Sequence, residues 1–277
     1  MRSDSIAKIL GMVVMLLTVT AQAAIDEIFK LSIGTTVSRF DASITFASKD
    51  GSVSTGIDLE DDLGYDNDVN SGWISGWYRF GDRHRLAVVL VPTQRSSFLV
   101  TKKDIDVGDD TIKAGASLSS TADVDIWDIS YIYSVYKKPN LEIGLSAGVF
   151  WLRTDTQLLA AGEIQSSNDP APVFRADYLT RQKISAPLPL FGIMAEYEIM
   201  HAWRVRAGAR YFAVTVGEID GSVFAANVGT DYYFTESLGL GLGLSRAIVD
   251  VDATSIIFEG AIDWSYNSTQ LYLVYKY

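Results

Sequence analysis

The chain closes on Leu271-Tyr272-Leu273-Val274-Tyr275-Lys276-Tyr277, and the period of these seven residues sets how the rest is read. Alternate residues of a strand point to opposite faces. Leu271, Leu273, Tyr275 and Tyr277 therefore share one face, while Tyr272 and Lys276 share the other. A soluble domain seldom stops on an aromatic strand. The pattern fits the last strand of a closed sheet whose apolar face meets lipid, with Leu271, Leu273, Tyr275 and Tyr277 as a candidate assembly signal.

The other terminus agrees. Arg2 and Lys8 flank a short polar start, residues 9–19 form an apolar run, and Ala21-Gln22-Ala23 has the small-x-small form of a signal-peptidase site. This predicts a signal peptide over 1–23 and a barrel domain over 24–277. The apolar run is about half of the roughly 20 residues a spanning helix needs. No later segment approaches that length either, so any membrane span must be made of strands. The sequence has 0 Cys, which excludes thiol chemistry and zinc–thiolate sites. Hydrophobic residues make up 48% of the chain, yet its net charge is −11. That mixture is expected where apolar residues face lipid and acids gather in loops. An acidic balance also argues against a nucleic-acid partner.

From about residue 28 onward, period-2 runs alternate with turn signals, which predicts an all-β fold. In residues 141–151, Leu141, Ile143, Leu145, Ala147, Val149 and Trp151 share one face, and Glu142, Gly144, Ser146 and Gly148 the other. Leu238, Leu240, Leu242 and Leu244 alternate with Gly239, Gly241, Gly243 and Ser245, the signature of a strand with lipid outside and crowded side chains inside. About ten strands are expected, near 28–47, 71–80, 84–103, 112–137, 140–156, 182–199, 202–217, 221–234, 237–252 and 256–277, with eight as the alternative. Short connectors near Gly81, Pro139, His201 and Glu236 alternate with mostly longer ones, including 48–70 and 157–181. This is the turn-and-loop asymmetry of a transmembrane antiparallel up-and-down β-barrel with both termini in the periplasm. A soluble sandwich or lipocalin-like barrel is the structural alternative, but it would turn polar residues outward. Alternation slips near Tyr266–Ser268 and Arg246, which predicts β-bulges or strands that continue beyond the bilayer. Aromatics near strand ends, among them Trp73, Trp77, Trp127, Trp151, Trp203, Tyr211, Tyr232 and Phe234, are candidates for the interfacial belts.

With Pro189, Phe191, Ile193, Ala195 and Tyr197 outward, Glu196 and Glu198 point into the lumen; on the next strand Arg204, Arg206 and Arg210 do the same. Pairing about His201 sets Glu198 opposite Arg204 and Glu196 opposite Arg206, as candidate cross-strand ion pairs. Glu142, Asp231, Asp128, Arg85 and Arg95 complete a charge-paired interior, read either as a structural core or as the lining of a narrow path for small solutes. In the first long loop, Asp58, Glu60 and Asp62 have the alternating spacing of an EF-hand loop. Gly64 falls one place late, however, and the twelfth-position Glu is missing, so they are weak metal candidates only. Residues 104–110 read as an acidic hairpin tip. His84 and His201 both fall at short turns, away from an outer-leaflet substrate and from any Ser or Asp that would complete a nucleophilic set. No catalytic residue and no cofactor is expected.

Several blocks together resemble a family of uncharacterised Gram-negative outer-membrane β-barrel proteins: residues 57–64, Trp77-Tyr78-Arg79-Phe80 with Arg83-His84-Arg85-Leu86, and the closing 271–277. The resemblance implies a barrel fold and outer-membrane residence, and it brings no activity with it. That family usually ends in Phe; Tyr277 departs but keeps an aromatic. The expected protein is a non-enzymatic, monomeric barrel with a structural or surface-interaction role. Its expected partners are outer-membrane lipid and lipopolysaccharide, along with the barrel-assembly machinery. The alternatives are a narrow, porin-like pore or transporter and, third, a lipid-modifying enzyme.

Overall fold

The structure is a computed structural model and describes residues 25–47, 54–107, 110–166, 171–216, 219–254 and 259–277. The expected leader over 1–23 lies outside them. Among the described residues thirteen strands are formed: β1 (Phe29–Ala47), β2 (Ser54–Asp58), β3 (Asp68–Gly81), β4 (His84–Val100), β5 (Ile105–Val107), β6 (Asp110–Ile112), β7 (Ser117–Lys138), β8 (Leu141–Ser166), β9 (Val173–Met200), β10 (Trp203–Val216), β11 (Ile219–Tyr233), β12 (Leu238–Thr254) and β13 (Glu259–Lys276). Ten of them form a closed ring in which each long strand pairs antiparallel with its chain neighbour. β1 closes the ring on β13, and β8 pairs with β9. This is the up-and-down topology read from the sequence, with ten strands rather than eight. β2, β5 and β6 are short additions at the end opposite the tight turns. Among the described residues no helix is long and apolar enough to cross a membrane.

The polarity of the wall inverts partway along its strands. On β7, Trp127, Ile129, Tyr131, Tyr133 and Val135 point outward while Asp128, Ser130 and Ser134 are buried inside. Beyond Ile126 the same strand turns Ser119, Thr121, Asp123 and Asp125 outward and buries Leu118, Ala122 and Val124. The first pattern suits lipid outside and polar packing inside, and the second an ordinary water-soluble shell. At about 3.3 Å per residue and a tilt near 40°, residues 127–135 span roughly 20 Å of bilayer. The inversion explains the apparent slips at Arg246 and at Tyr266–Ser268. The β12–β13 ladder runs without a register shift from Leu238↔Tyr275 to Thr254↔Glu259, so the strands simply leave the lipid. No bulge is involved.

Two expectations change. The stretch 157–181 is not a long loop. β8 and β9 stay paired as far as Ile164↔Val173, and β6 pairs with β8 up to Asp110↔Ser166, so strand pairing continues beyond the barrel body through most of it. Trp73 and Trp77 lie on the inward parity of β3, where Trp73 is buried against Tyr272 at 4.8 Å between ring centroids and Trp77 carries the guanidinium of Arg85 at 5.0 Å. They pack the lumen and are no part of an interfacial belt. Trp127, Trp203, Tyr211, Tyr232 and Phe234 do face outward.

β9 and β10 part company above Phe191↔Tyr211, the last pair of their ladder. Pro187 and Pro189 supply the reason. Two prolines on alternate positions delete N–H donors from one edge of a strand. Since the β8 ladder continues past both, the missing donors belong to the edge facing β10.

Candidate functional site

At the turn end of the barrel, alternation places a charged residue on the inward face of nearly every strand. Five cations (Lys30, Arg79, Arg85, Arg204 and Arg206) pair with five carboxylates (Glu27, Glu142, Glu196, Glu198 and Asp231), and a sixth cation, Lys276 of β13, stands beside them over the Tyr233 ring at 4.0 Å. Lys30 Nζ lies 2.6 Å from Asp231 and 3.6 Å from Glu196. Arg79 and Arg85 share Glu142 at 2.8 and 3.3 Å, and the Ser134 hydroxyl donates to the same carboxylate. Arg85 also reaches Glu196 at 3.5 Å. Arg204 donates to Glu198 at 3.0 Å and to Glu27, with Glu196 at 3.8 Å. Arg206 donates to both Asp231 oxygens at 2.8 Å, and the Tyr272 hydroxyl donates to Asp231 at 2.6 Å. Arg85, Arg204, Glu142, Glu196 and Asp231 are each at most 1–2% exposed.

The register is the one read from sequence: Arg204↔Glu198 and Arg206↔Glu196 are opposite pairs. The second pair makes no ion bridge. Arg206 turns to Asp231 on β11, because Glu196 already sits among Lys30, Arg85 and Arg204. Arg210 lies one level higher and pairs with Asp128 at 2.6 Å. Reading the residues singly missed Lys30, Glu27 and Arg79. Parity along β1 and β3 carried the signal for Lys30 and Arg79. Glu27 precedes the first strand, where no period exists to read.

A charged layer of this kind fills space with nearly balanced charge. Desolvating ions is costly, and the layer is tenable because its five carboxylates each meet a cation, while Lys276 rests on the face of Tyr233. Below it, residues 25–28 run across the mouth of the barrel: Ile25 N donates to Pro139 O at 3.2 Å, and Ile28 N donates to Tyr277 O at 2.6 Å. Above it lies a cavity of about 140 Å³ of mixed lining, where Thr36, Ser38, Asp128, Arg210 and Gln270 face Trp73, Val89, Val91, Ile126 and Phe150. Higher still, Ile126, Phe150, Leu190, Val223 and Val249 form an apolar layer against Phe212 and Tyr266. The lumen is therefore occupied by side chains at two levels.

The acidic loop holds its carboxylates in protein contacts. Glu60 accepts from Arg95 at 2.5 Å and from Ala42 N at 3.0 Å; Asp62 lies 2.8 Å from Lys103; Asp58 accepts from Asp61 N at 2.7 Å. No group of His, Cys, Asp or Glu able to hold a metal is found among the described residues. His84 Nδ1 is 2.7 Å from the Tyr131 hydroxyl in an outer aromatic group with Phe80 and Tyr133. His201 is exposed, 3.8 Å from Glu198. On the terminal strand Leu271 and Leu273 are exposed outward, Tyr275 and Tyr277 lie partly exposed, and Tyr277 N donates to Phe29 O at 2.9 Å.

Fold and interior together define a transmembrane up-and-down barrel of ten strands, the fold of Gram-negative outer-membrane β-barrel proteins. No protein-family model and no curated protein matches this sequence. Among solved structures it is similar to the outer membrane protease OmpT from Escherichia coli, with a TM-score of 0.57 and 12% identity, covering 94% of this chain and 99% of that one. Matches with lower scores include Ail, the attachment invasion locus protein of Yersinia pestis, in complex with a heparin analogue (TM-score 0.37, 8% identity, 90% of this chain, 97% of that chain). Another is the P. putida toluene transporter TodX (TM-score 0.36, 8% identity, 93% of this chain, 91% of that chain). The likeness to OmpT is one of fold.

Proposed function

We propose that this chain resides in the outer membrane as a monomeric, non-enzymatic barrel that does not conduct, and that its working surface is the long-strand end, the extracellular side. The carrying observation is the filling of the lumen at two levels, by the ion-paired layer and by the apolar layer around Leu190. A ten-stranded barrel is only slightly wider than one that side chains fill, so two full layers leave no aqueous path to serve. The extracellular end is built as an ordinary folded shell with its own core, Ile105, Ile112, Leu118, Leu158 and Ile164. It carries the β8–β9 hairpin and the acidic turns, which suits a structural or surface-interaction role toward lipopolysaccharide or an external partner. Both histidines stand at the turn end, on the wrong side for catalysis on an outer-leaflet substrate.

The 140 Å³ cavity beside Arg206 and Arg210 favours the second reading, a narrow path for small solutes. Planar-bilayer recording of the refolded protein decides between them. Silence from a barrel whose folding is verified by heat-modifiable mobility is expected. Ion-selective steps that change when Arg206 and Arg210 are replaced by Ala would overturn the first reading in favour of the second.

A further inference from the structure

On the outer wall, strands β1, β11, β12 and β13 enclose a shallow groove at the height where the outward face passes from apolar to polar. The outward series on β12 runs Leu240, Leu242, Leu244 and then Arg246; on β1 it runs Ile33, Val37 and then Arg39. The other outward positions at this height are small or short, Asn267 and Thr269 on β13 between them and Ala226 on β11 beyond, so the wall is concave, an open depression of about 670 Å³. Arg246 is exposed and donates from Nη1 to Asn267 Oδ1 at 3.2 Å. Arg39 gives Nε and Nη2 to Asp68 at 2.9 and 3.0 Å; this bidentate clamp fixes the guanidinium, and Nη1 is outside it. Asp41, Asp250 and Asp263 also point outward, but farther along their strands toward the extracellular end. An anion at the groove therefore meets the Arg246 guanidinium, and the Arg39 guanidinium with Asp68 as its counter-charge, before it meets those acids; Asp68 is the one carboxylate among the lining residues.

We infer that this groove seats a phosphorylated glycolipid of the outer leaflet, of lipid A chemistry. Its phosphate lies on Arg246 and Arg39, and its acyl chains lie against Val37, Val228 and Leu244. Guanidinium groups match phosphate through paired, charge-assisted hydrogen bonds, and only a ligand with an apolar body would use the aliphatic floor below them. The inference rests on the outer-membrane placement proposed above.

The test is native mass spectrometry of the folded full barrel with lipid A, with the same lipid stripped of its phosphates, and with inorganic phosphate alone. One lipid A per barrel is expected to remain bound, with affinity falling about tenfold in Arg246→Ala and in Arg39→Ala. Arg175→Ala, which removes the same charge near the hairpin tip, should leave it unchanged. Equal retention of the dephosphorylated lipid, an equal loss in Arg175→Ala, or capture of inorganic phosphate with the lipid's affinity would each overturn the assignment. Both groove arginines are on the surface, and heat-modifiable mobility shows whether each variant has folded. Insertion into plain phosphatidylcholine vesicles reads the membrane placement separately: a barrel that inserts but ignores lipid A refutes the groove alone, and a chain that fails to insert refutes the placement.

Discussion

Glu196 shows at the scale of one residue what holds this interior together. Its carboxylate lies among Lys30, Arg85 and Arg204, at 3.6, 3.5 and 3.8 Å. No one of these is a short bond, so its role is to balance three buried cations at once. Removing one partner of a buried ion pair strands the other charge, at a cost of about 3–5 kcal/mol. Glu196→Ala should lower stability by about that amount in urea titrations followed by heat-modifiable mobility, whereas Glu198→Ala, on a more exposed carboxylate, should cost less. Gly241 gives a steric counterpart. It stands opposite Tyr272 in the β12–β13 ladder, and a Cβ there would lie 2.0 Å from the Tyr272 ring. That ring cannot move freely, because its hydroxyl is tied to Asp231. Gly241→Ala should therefore destabilise the barrel by about 1–3 kcal/mol, measured by the same titration, while Ala at exposed Leu242 disturbs only the lipid-facing surface. Gly241 thus clears room for the Tyr272 ring, as Gly243 does for the Gln270 amide, where a Cβ would lie 2.6 Å from Oε1.

At the scale of an element, the β8–β9 hairpin beyond the bilayer is held by backbone pairing and a cluster of surface charges. Arg181 donates to Asp155 from Nε at 2.7 Å, and Lys183 lies 3.2 Å from the same carboxylate. The Arg181 hydrogen bond, with Lys183 beside it, holds the Asp155 carboxyl down to about 2. A carboxyl held below its ordinary value stabilises the hairpin fully above that ordinary value and loses the effect as pH falls toward 2. Protection of the amides of residues 153–157 and 181–185, taken relative to the intrinsic exchange rate at each pH, should therefore fall between about pH 4 and pH 2, and Asp155→Asn should abolish that fall. The Lys113 ammonium likewise lowers Asp104 at the neighbouring acidic turn, with the same sign. Pro187 and Pro189 serve the element differently, by withholding N–H donors from an edge that would otherwise invite another strand.

The whole molecule is two packing regimes on one continuous set of strands, inverted in the bilayer and ordinary beyond it. This arrangement separates the tryptophans by solvent. In vesicles carrying bromine-labelled acyl chains, a variant retaining only Trp127 or only Trp203 should be strongly quenched, and one retaining only Trp73 should be nearly unquenched. Equal quenching of Trp73 would mean that the inward parity of β3 is wrong. The amino-acid pattern alone was enough for the all-β class, the position of the long strands, the face of most residues and the tight turns, and it left ten strands against eight open. Each of these depends on a period of two along a single strand and on local turn chemistry. Trp73 and Trp77 follow that rule as well; closeness to a strand end had placed them in the belts, and parity places them inside. Only the tertiary structure decided which charge meets which. Lys30 finds Asp231 across 201 residues, and Arg206 takes Asp231 because Glu196 is already surrounded. Those choices depend on how the ring closes and how far its strands are staggered, and no local period records either. The lipid boundary at Val37, Leu244 and Ile126 lay hidden for a related reason: the inversion becomes visible only when all the strands stand side by side at one height.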